Sequence, residues 1–369
     1  MTQKSQFPSQ SKHTKKVLFA CGGTGGHVFP AIAIAQDLQK KGWTIAFTGR
    51  AKSMEERLVR PHFDFYSAPA HPLVRGGLWQ NFTLPFRFIH SLIQASQVLK
   101  ASQADVVIGT GGYVSLPAIL VAGIQKLPVY LQEQNAVAGI ANKIGAKFAK
   151  AVFVSGSAAA SSFAHPEIHP FGTPVREISS QNIGIKPELY QSYDKVVMIV
   201  GGSQGARGIN TKLRNSLEKM GQRTNTLWFW QAGKRELDLC KSEAAAYKNI
   251  IVTDFIDNIY QHMAHADVII SRSGASTLAE ILLLGKTSVL IPFPYATANH
   301  QEANARAVEM CGACVVELES EPNNMIEKVL TLLDNSELNK QMAEKAQNLG
   351  RPEAAQKIAD YIHSQEVQL

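Results

Sequence analysis

A glycine-rich loop that recurs between a predicted strand and a predicted helix is the feature that most constrains this chain. The first copy, Gly22–His27, follows a strand predicted at Val17–Ala20 and precedes a helix predicted at Pro30–Lys41, with its proline near the start. Glycine lets the backbone turn sharply and approach a ligand, and the N-terminus of the following helix offers N–H groups to an anion. Gly109–Tyr113 and Gly201–Arg207 follow predicted strands in the same manner. Three such loops favour a ligand held in a cleft, whereas each alone could be only a tight turn.

Predicted strands and helices alternate, which is typical of parallel sheets covered by helices on both faces. The other strands are predicted at Trp43–Thr48, Asp105–Ile108, Val129–Gln132, Val152–Val154, Val196–Val200, Leu227–Gln231, Ile250–Val252, Asp267–Ser271 and Ser288–Ile291. The other helices are predicted at Leu84–Lys100, Ala136–Phe148, Ile209–Met220, Ser276–Leu284, Gln301–Met310 and Pro352–Ser364. The pattern restarts after Gly172–Arg176, so we predict two α/β halves joined there.

The length of 369 residues exceeds one ordinary core, so two domains are expected. We place a flexible tail at 1–14, an N-terminal domain at 15–174 and a C-terminal domain at 175–351, with a final helix at about 352–369 packing back on the N-terminal domain. Four cysteines favour a reducing compartment. The chain shows neither a signal-peptide h-region nor an apolar run of about 18 residues, so we expect a cytosolic protein without a membrane span.

Charge is unevenly distributed. Residues 1–175 hold 17 Lys and Arg against 7 Asp and Glu, whereas residues 176–369 hold 20 against 23. The basic half is therefore predicted to face phosphate-bearing substrate, acidic lipid headgroups or nucleic acid. The alternative is a solvated basic surface without a partner.

Two common nucleotide-binding motifs are excluded. In a dinucleotide fingerprint the third glycine would fall at Val28, and Gly49 and Arg50 stand where an acidic residue is expected after the second strand. In a P-loop ending at Thr287 the leading glycine would fall at Glu280. The first mismatch argues against an NAD-dependent enzyme, and the second argues against a P-loop nucleotidase.

Polar residues at the ends of predicted strands are candidates for ligand contacts. Glu133 or Asn135 could face a ligand, although Asn135 could simply be a helix N-cap. Backbone N–H groups at Ser273–Ser276 could hold a phosphate, and Glu280 could accept two ribose hydroxyls. The alternative makes Ser276 a cap and Glu280 a surface residue. Gln301 follows a proline-containing loop and could bind sugar hydroxyls.

His27 directly follows the first glycines, at the head of a predicted helix. It could act as a general base or hold the donor phosphate or sugar, and a purely structural role is the alternative.

These motifs, in this order from about Lys15 to the C-terminus, resemble the MurG family of glycosyltransferases. The matching segments are Gly22–His27, Gly111–Ser115, Glu133–Asn135, Gly201–Arg207, Phe255–Asp257, Arg272–Ala275 and Gln301. The resemblance implies an α/β GT-B fold, with two Rossmann-like doubly wound domains and a cleft between them. Gln132 and Thr110 stand where His and Met are common in the family, and neither change removes a group that the reaction needs.

The activity implied by this resemblance is an inverting transfer of N-acetylglucosamine from UDP-N-acetylglucosamine to the 4-hydroxyl of undecaprenyl-pyrophosphoryl-N-acetylmuramoyl-pentapeptide, in peptidoglycan synthesis. No metal and no cofactor are expected, because helix dipoles and loop N–H groups can offset the charge of the leaving diphosphate. Alternatives are another GT-B enzyme, such as a UDP-sugar 2-epimerase or a glycolipid synthase, and a catalytically silent scaffold that binds nucleotide sugar and membrane.

The resemblance also implies the roles of individual residues. His27 is the first candidate for the catalytic base and Glu133 the second. The expected donor-binding residues are Thr24, Gly25, Gly26, Asn135, Arg176, Ser203, Ile256, Arg272, Ser273, Gly274, Ala275, Ser276, Thr277, Leu278, Ala279, Glu280 and Gln301. The expected acceptor-binding residues are Gly22, Gly23, Gly109, Gly111, Gly112 and Tyr113.

A basic first domain suits an acceptor anchored in an anionic bilayer. The segment Leu73–Trp79, together with Phe82, Phe86, Arg87 and Phe88, mixes apolar, aromatic and basic side chains and predicts an interfacial docking patch. The alternative is an ordinary helix packed on the core. We expect a peripheral protein at the cytoplasmic face of the bacterial inner membrane, with no nucleic-acid partner.

Overall fold

A computed structural model describes residues 14–68, 84–178, 180–202 and 204–367. Its strands form two parallel sheets, of order β3-β2-β1-β4-β5-β6-β7 and β10-β9-β8-β11-β12-β13. The strands are β1 Lys16–Ala20, β2 Thr44–Gly49, β3 Asp64–Ser67, β4 Val106–Gly109, β5 Val129–Glu133, β6 Ala151–Val154, β7 Ile168–His169, β8 Lys195–Val200, β9 Thr226–Gln231, β10 Ile250–Thr253, β11 Val268–Ser271, β12 Ser288–Leu290 and β13 Val315–Val316. The predicted fold class of two doubly wound α/β domains is confirmed.

Helices cover both faces of each sheet. Those of the first domain are α1 Gly25–Lys40, α2 Met54–Val59, α3 Leu84–Ser102, α4 Leu116–Ile124, α5 Ile140–Gly145 and α6 Ser157–Ala160. The remaining helices are α7 Ser180–Ile183, α8 Glu188–Gln191, α9 Arg207–Arg214, α10 Leu217–Gln222, α11 Leu237–Ala244, α12 Ile259–Ala264, α13 Ala275–Leu283, α14 His300–Glu309, α15 Met325–Asp334, α16 Ser336–Leu349 and α17 Ala354–Val367. Short 3₁₀ turns lie at Ala146–Phe148 and Thr297–Asn299. None of the helices in the described ranges combines the length and the hydropathy that a membrane crossing needs.

Three predicted helix boundaries are wrong. Helix α1 begins at Gly25, so Pro30 lies inside it and the glycine loop itself supplies the first turn. Helix α5 begins only at Ile140, and Asn135 is therefore not its N-cap. The helix predicted at Ile209–Met220 is divided into α9 and α10, since Oγ of Ser216 donates to the Lys212 carbonyl at 3.0 Å and competes with the helical backbone pattern.

Apolar strands buried on both faces hold each domain together. Strand β8 alternates its side chains between two clusters, with Val197 and Ile199 on one face and Val196 and Met198 on the other. Strand β1 divides Val17 and Leu18 in the same way. Since all strands of a sheet are parallel, their carboxyl ends meet at one edge, and the glycine loops after β1, β4 and β8 lie there.

The last helix returns to the first domain. Helix α16 packs against α13, whereas α17 packs against α1 and contributes Ile358 and Ile362 to the core of the first domain. Buried Glu366 accepts a hydrogen bond from the Tyr130 hydroxyl at 2.6 Å and pairs with Lys150 at 2.8 Å. The chain therefore crosses between the domains twice, once after the first domain and once between α16 and α17.

Candidate active site

The first two glycine loops touch each other at the edge of the first sheet. Gly112 has φ of +82° and lies so close to the first loop that a Cβ there would be 2.2 Å from the Gly22 carbonyl oxygen. A Cβ on Gly111 would lie 2.9 Å from Cδ2 of His27. Tyr113 packs its ring near Gly23, within ordinary contact distance of the position a Cβ would take. At Gly112 backbone meets backbone, so a side chain is excluded there.

His27 lies in the first turn of α1, with its ring against the second loop. Its Nδ1 donates to the Gly22 carbonyl at 3.1 Å, and Oγ1 of Thr24 lies 3.1 Å from the same nitrogen. A carbonyl oxygen can only accept, so this contact places the proton of the neutral ring on Nδ1 and leaves Nε2 with a free lone pair. Burial lowers the pKa of His27 from its ordinary value of 6.5, which keeps the ring neutral at pH 7.

Glu133 is buried at the end of β5 and accepts four hydrogen bonds. Its Oε1 accepts from the backbone and side-chain nitrogens of Asn135 at 3.0 and 3.1 Å. Its Oε2 accepts from Gly139 N at 3.0 Å and from Nδ2 of Asn142 at 2.9 Å. Since both oxygens already hold N–H donors, this geometry favours a role in shaping the β5–α5 loop over a role as base.

Asn304, which sequence reasoning passed over, joins the two domains. Its Oδ1 accepts from the backbone N–H of Ala136 at 2.7 Å. Its Nδ2 donates to Oδ1 of Asn135 at 3.2 Å and to the Ser273 carbonyl at 3.1 Å. Asn304 follows Gln301 by one turn of α14, and that spacing is the signal that could have identified it.

The N-terminus of α13 is the candidate anion-binding element of the second domain. Gly274 is its N-cap, and Ala275, Ser276 and Thr277 form the first turn, whose N–H groups have no partner within the helix. Leu278 and Ala279 follow, with Leu278 in the core. Ser273 is fixed behind the turn because its Oγ donates to the Gln301 carbonyl at 2.7 Å. The predicted residue Ser203 lies outside the described residues.

The inter-domain linker brings Arg176 to the same region. Its guanidinium carbon lies 4.7 Å from the ring centre of Phe29 in α1 and 5.4 Å from that of Tyr260 in α12. The Tyr260 hydroxyl donates to Glu280 at 2.8 Å, and burial raises the pKa of Glu280 above its ordinary range. Glu280 is therefore held inside the structure, unlike an ordinary surface residue. Ile256 is buried in the core of the second domain.

A cleft of about 650 Å³ opens beside these elements in the second domain. Its walls include the third glycine loop, α9 and two predicted site residues, Arg272 and Gln301. The Arg272 guanidinium donates to the carbonyls of Ile291 and Pro292 at 3.0 and 3.1 Å. The side chain of Arg272 therefore supports the cleft wall, and the backbone after it is what can face an anion. Sequence reasoning missed six other wall residues, namely Gly208, Thr211, Lys212, Phe293, Tyr295 and Glu319.

Comparisons with known proteins agree with this two-domain fold. Residues 17–154 match the glycosyltransferase family 28 N-terminal domain, and residues 196–358 match the glycosyltransferase family 28 C-terminal domain. A curated relative from Moorella thermoacetica is 37% identical over 94% of this chain and 98% of its own length. That relative is named UDP-N-acetylglucosamine--N-acetylmuramyl-(pentapeptide) pyrophosphoryl-undecaprenol N-acetylglucosamine transferase.

Solved structures of similar fold include a MurG and a UDP-GlcNAc 2-epimerase. The crystal structure of Acinetobacter baumannii MurG has a TM-score of 0.77 and 30% sequence identity, and the match covers 95% of this chain and 99% of that one. The UDP-GlcNAc 2-epimerase from Neisseria meningitidis bound to UDP-GlcNAc has a TM-score of 0.68 at 16% identity, with coverage of 95% and 100%. At that identity the epimerase shares the fold alone with this chain.

Proposed function

This chain belongs to glycosyltransferase family 28 and, within it, to the MurG family, and we propose that it transfers N-acetylglucosamine from UDP-N-acetylglucosamine to the 4-hydroxyl of undecaprenyl-pyrophosphoryl-N-acetylmuramoyl-pentapeptide. The observation that carries the proposal is 37% identity, over nearly the whole of both chains, to a relative named for this transfer. The contact between the glycine loops of the first domain and the inter-domain hydrogen bonds of Asn304 support a reaction between the domains.

The second domain holds the donor in this proposal. The free N–H groups at the start of α13 donate hydrogen bonds to the diphosphate, and their partial positive charge offsets the charge that develops on the leaving UDP. Glu280 accepts ribose hydroxyls, with its carboxylate oriented by Tyr260. Asn135 and the first turn of α1 approach the donor from the first domain, and Arg176 approaches it from the linker between the domains.

The first domain holds the acceptor diphosphate at its two touching glycine loops. In the chemical step the acceptor 4-hydroxyl attacks the anomeric carbon, the bond from that carbon to the diphosphate oxygen breaks, and the configuration inverts. Nε2 of His27 takes the hydroxyl proton, because its lone pair is free and the Gly22 carbonyl holds Nδ1 in the protonated tautomer. Glu133 acts through Asn135 and the β5–α5 loop as a positioning residue.

The first test is transfer of labelled N-acetylglucosamine to a lipid-linked muramoyl-pentapeptide in the presence of EDTA. We expect transfer at an undiminished rate, since helix and loop N–H groups supply the stabilisation of the leaving diphosphate. Transfer that requires added Mg²⁺ contradicts the metal-free step. Consumption of UDP-N-acetylglucosamine without any acceptor would instead favour a 2-epimerase, the second candidate on grounds of fold.

A surface of the first domain suits contact with the membrane that holds the acceptor. Helix α4 packs against α3, α5 and the turn after α5, and these elements expose apolar side chains side by side. The exposed residues are Phe86, Phe88, Ile89, Ile93, Ile124, Ile140, Ile144 and Phe148. Exposed Arg87, Lys126, Lys143 and Lys147 lie among them. This apolar and basic surface fits anionic lipid. The predicted residues Leu73–Trp79 and Phe82 lie outside the described residues.

Binding to vesicles tests this surface. Phe86 is 71% exposed and Ile89 is 54% exposed, so Phe86→Asp with Ile89→Asp should leave the fold intact. We expect affinity for vesicles containing phosphatidylglycerol to fall at least tenfold, because each apolar side chain contributes about 1.5–3 kcal/mol when buried. The matched control is Ile185→Asp, an equally apolar and 82% exposed position in the second domain. Equal binding by both variants contradicts the assignment.

A further inference from the structure

We infer that Glu319, with the glycine at position 208, binds hydroxyl groups of the donor's sugar inside the cleft of the second domain. The inference rests on the proposed function and extends it to a residue that lies outside the family motifs recognised in the sequence. Three features support it: the charge of the cleft wall, the missing side chain at Gly208 and the other polar and aromatic groups of the cleft wall.

The cleft wall is close to neutral. Of the described residues that line the cleft, three are cations, and each has a carboxylate partner. Arg272 pairs with Glu319, Lys212 pairs with Glu317 at 2.7 Å, and Arg207 lies 4.0 Å from Glu236. A wall with balanced charge suits an uncharged polar ligand such as a hexose, whereas the diphosphate is better placed at the N-terminus of α13.

One carboxylate oxygen of Glu319 is available to accept a hydrogen bond from such a ligand. Its Oε1 is buried against Arg272, with the pairing made to Nη2 of that guanidinium. This leaves Oε2 as the carboxylate oxygen available to the cleft, and an ionised carboxylate is a strong acceptor for sugar hydroxyls. The pairing fixes the carboxylate, because Arg272 is itself held by the carbonyls of Ile291 and Pro292.

Gly208 makes room for that carboxylate. It lies in the first turn of α9, where alanine would be the better helix former, and its backbone is not in the left-handed region. A Cβ at this position would lie 1.9 Å from Oε1 and 2.6 Å from Oε2 of Glu319. A glycine at position 208 is therefore explained by the space that the Glu319 carboxylate occupies. The helix conformation there does not itself require glycine.

Other groups of the same cleft wall complement Glu319. Oε1 of Gln301 accepts from the backbone N–H of Phe293 at 3.0 Å, which leaves the amide nitrogen as a donor. The rings of Phe293 and Tyr295 meet edge to face, with centres 5.7 Å apart, and Tyr295 is 80% exposed. An acceptor, a donor and an apolar ring surface together match the hydroxyls and the C–H face of a pyranose.

The experiment compares binding of UDP and of UDP-N-acetylglucosamine by calorimetry. We expect Glu319→Ala to weaken UDP-N-acetylglucosamine about tenfold or more, the loss typical of one charge-assisted hydrogen bond, and to change UDP affinity less than threefold. Gly208→Ala should give the same selective loss by displacing the carboxylate, and the protein should remain folded because the displaced group is the end of a flexible side chain and alanine favours the helix. Glu188→Ala, which removes an exposed carboxylate of the second domain that does not line the cleft, is the control and should change neither affinity.

The outcomes separate the inference from the function on which it rests. Wild-type protein that does not bind UDP-N-acetylglucosamine overturns the proposed function, and the inference with it. The inference alone is overturned if the wild-type protein binds this donor but either variant lowers the affinities for UDP and for UDP-N-acetylglucosamine equally. It is also overturned if either variant lowers neither affinity. If Glu319→Ala unfolds, Gly208→Ala decides the question by the same comparison.

Discussion

Replacing His27 with alanine is expected to lower kcat for transfer by roughly 10²–10⁴-fold, the usual contribution of a positioned general base. The ring has one nitrogen held by the Gly22 carbonyl and one free, so removal deletes the proton acceptor without breaking a buried ion pair. The KM for UDP-N-acetylglucosamine should change much less than kcat. A raised KM with an unchanged kcat would show that His27 binds substrate instead. His62→Ala, an exposed histidine of the same domain, is the control.

The pH profile provides an independent check on His27. A base must be neutral to act, and burial lowers the pKa of His27 below 6.5. The wild-type rate should therefore be constant near pH 7 and fall only as the pH drops through a value below 6.5. This acidic decline should disappear from the residual activity of His27→Gln. A decline of the same shape in both proteins would assign the titration to another group.

Replacing Gly112 with alanine is expected to destabilise the protein by about 2–5 kcal/mol, combining left-handed strain of about 1–2 kcal/mol with overpacking of about 1–3 kcal/mol. The added Cβ would meet the Gly22 carbonyl at 2.2 Å, and a backbone atom cannot move aside as a side-chain end can. The same carbonyl holds Nδ1 of His27, so kcat should fall as well, by about 10²-fold for a displacement near 1 Å.

Gly42→Ala is the matched control for this substitution. Gly42 has φ of +85°, close to that of Gly112, but a Cβ there meets nothing within 4 Å. It should lose only the strain energy of about 1–2 kcal/mol and retain full kcat. Urea unfolding gives the free-energy change and the transfer assay gives kcat. Equal losses in both variants would mean that the contact between the two loops contributes nothing beyond backbone strain.

Sequence patterns that span only a few residues were sufficient to predict the two-domain α/β architecture. Apolar runs such as Val196–Val200 are buried on both faces of a parallel strand, and the sequence pattern predicts this because periodicity acts within a few residues. The glycine loops after β1 and β4 lie at the carboxyl edge of the sheet as predicted, and the positive φ angles of Gly23, Gly111 and Gly112 are ones that glycine adopts most readily. That these glycines face a ligand stays a prediction. Where a helix begins was less well predicted, because the β5–α5 loop is shaped by the buried carboxylate of Glu133.

The sequence by itself therefore determined two α/β domains, the order of the loops and the family, since these depend on residues near one another in the chain. Only the tertiary structure decided that Glu133 has both oxygens occupied, that Asn304 bridges to Asn135 across 169 positions and that Glu319 fills the space beside Gly208. The physical reason is that hydrogen bonds and steric contacts act over a few ångströms. Which distant residues come that close is set by how the two sheets and their helices pack.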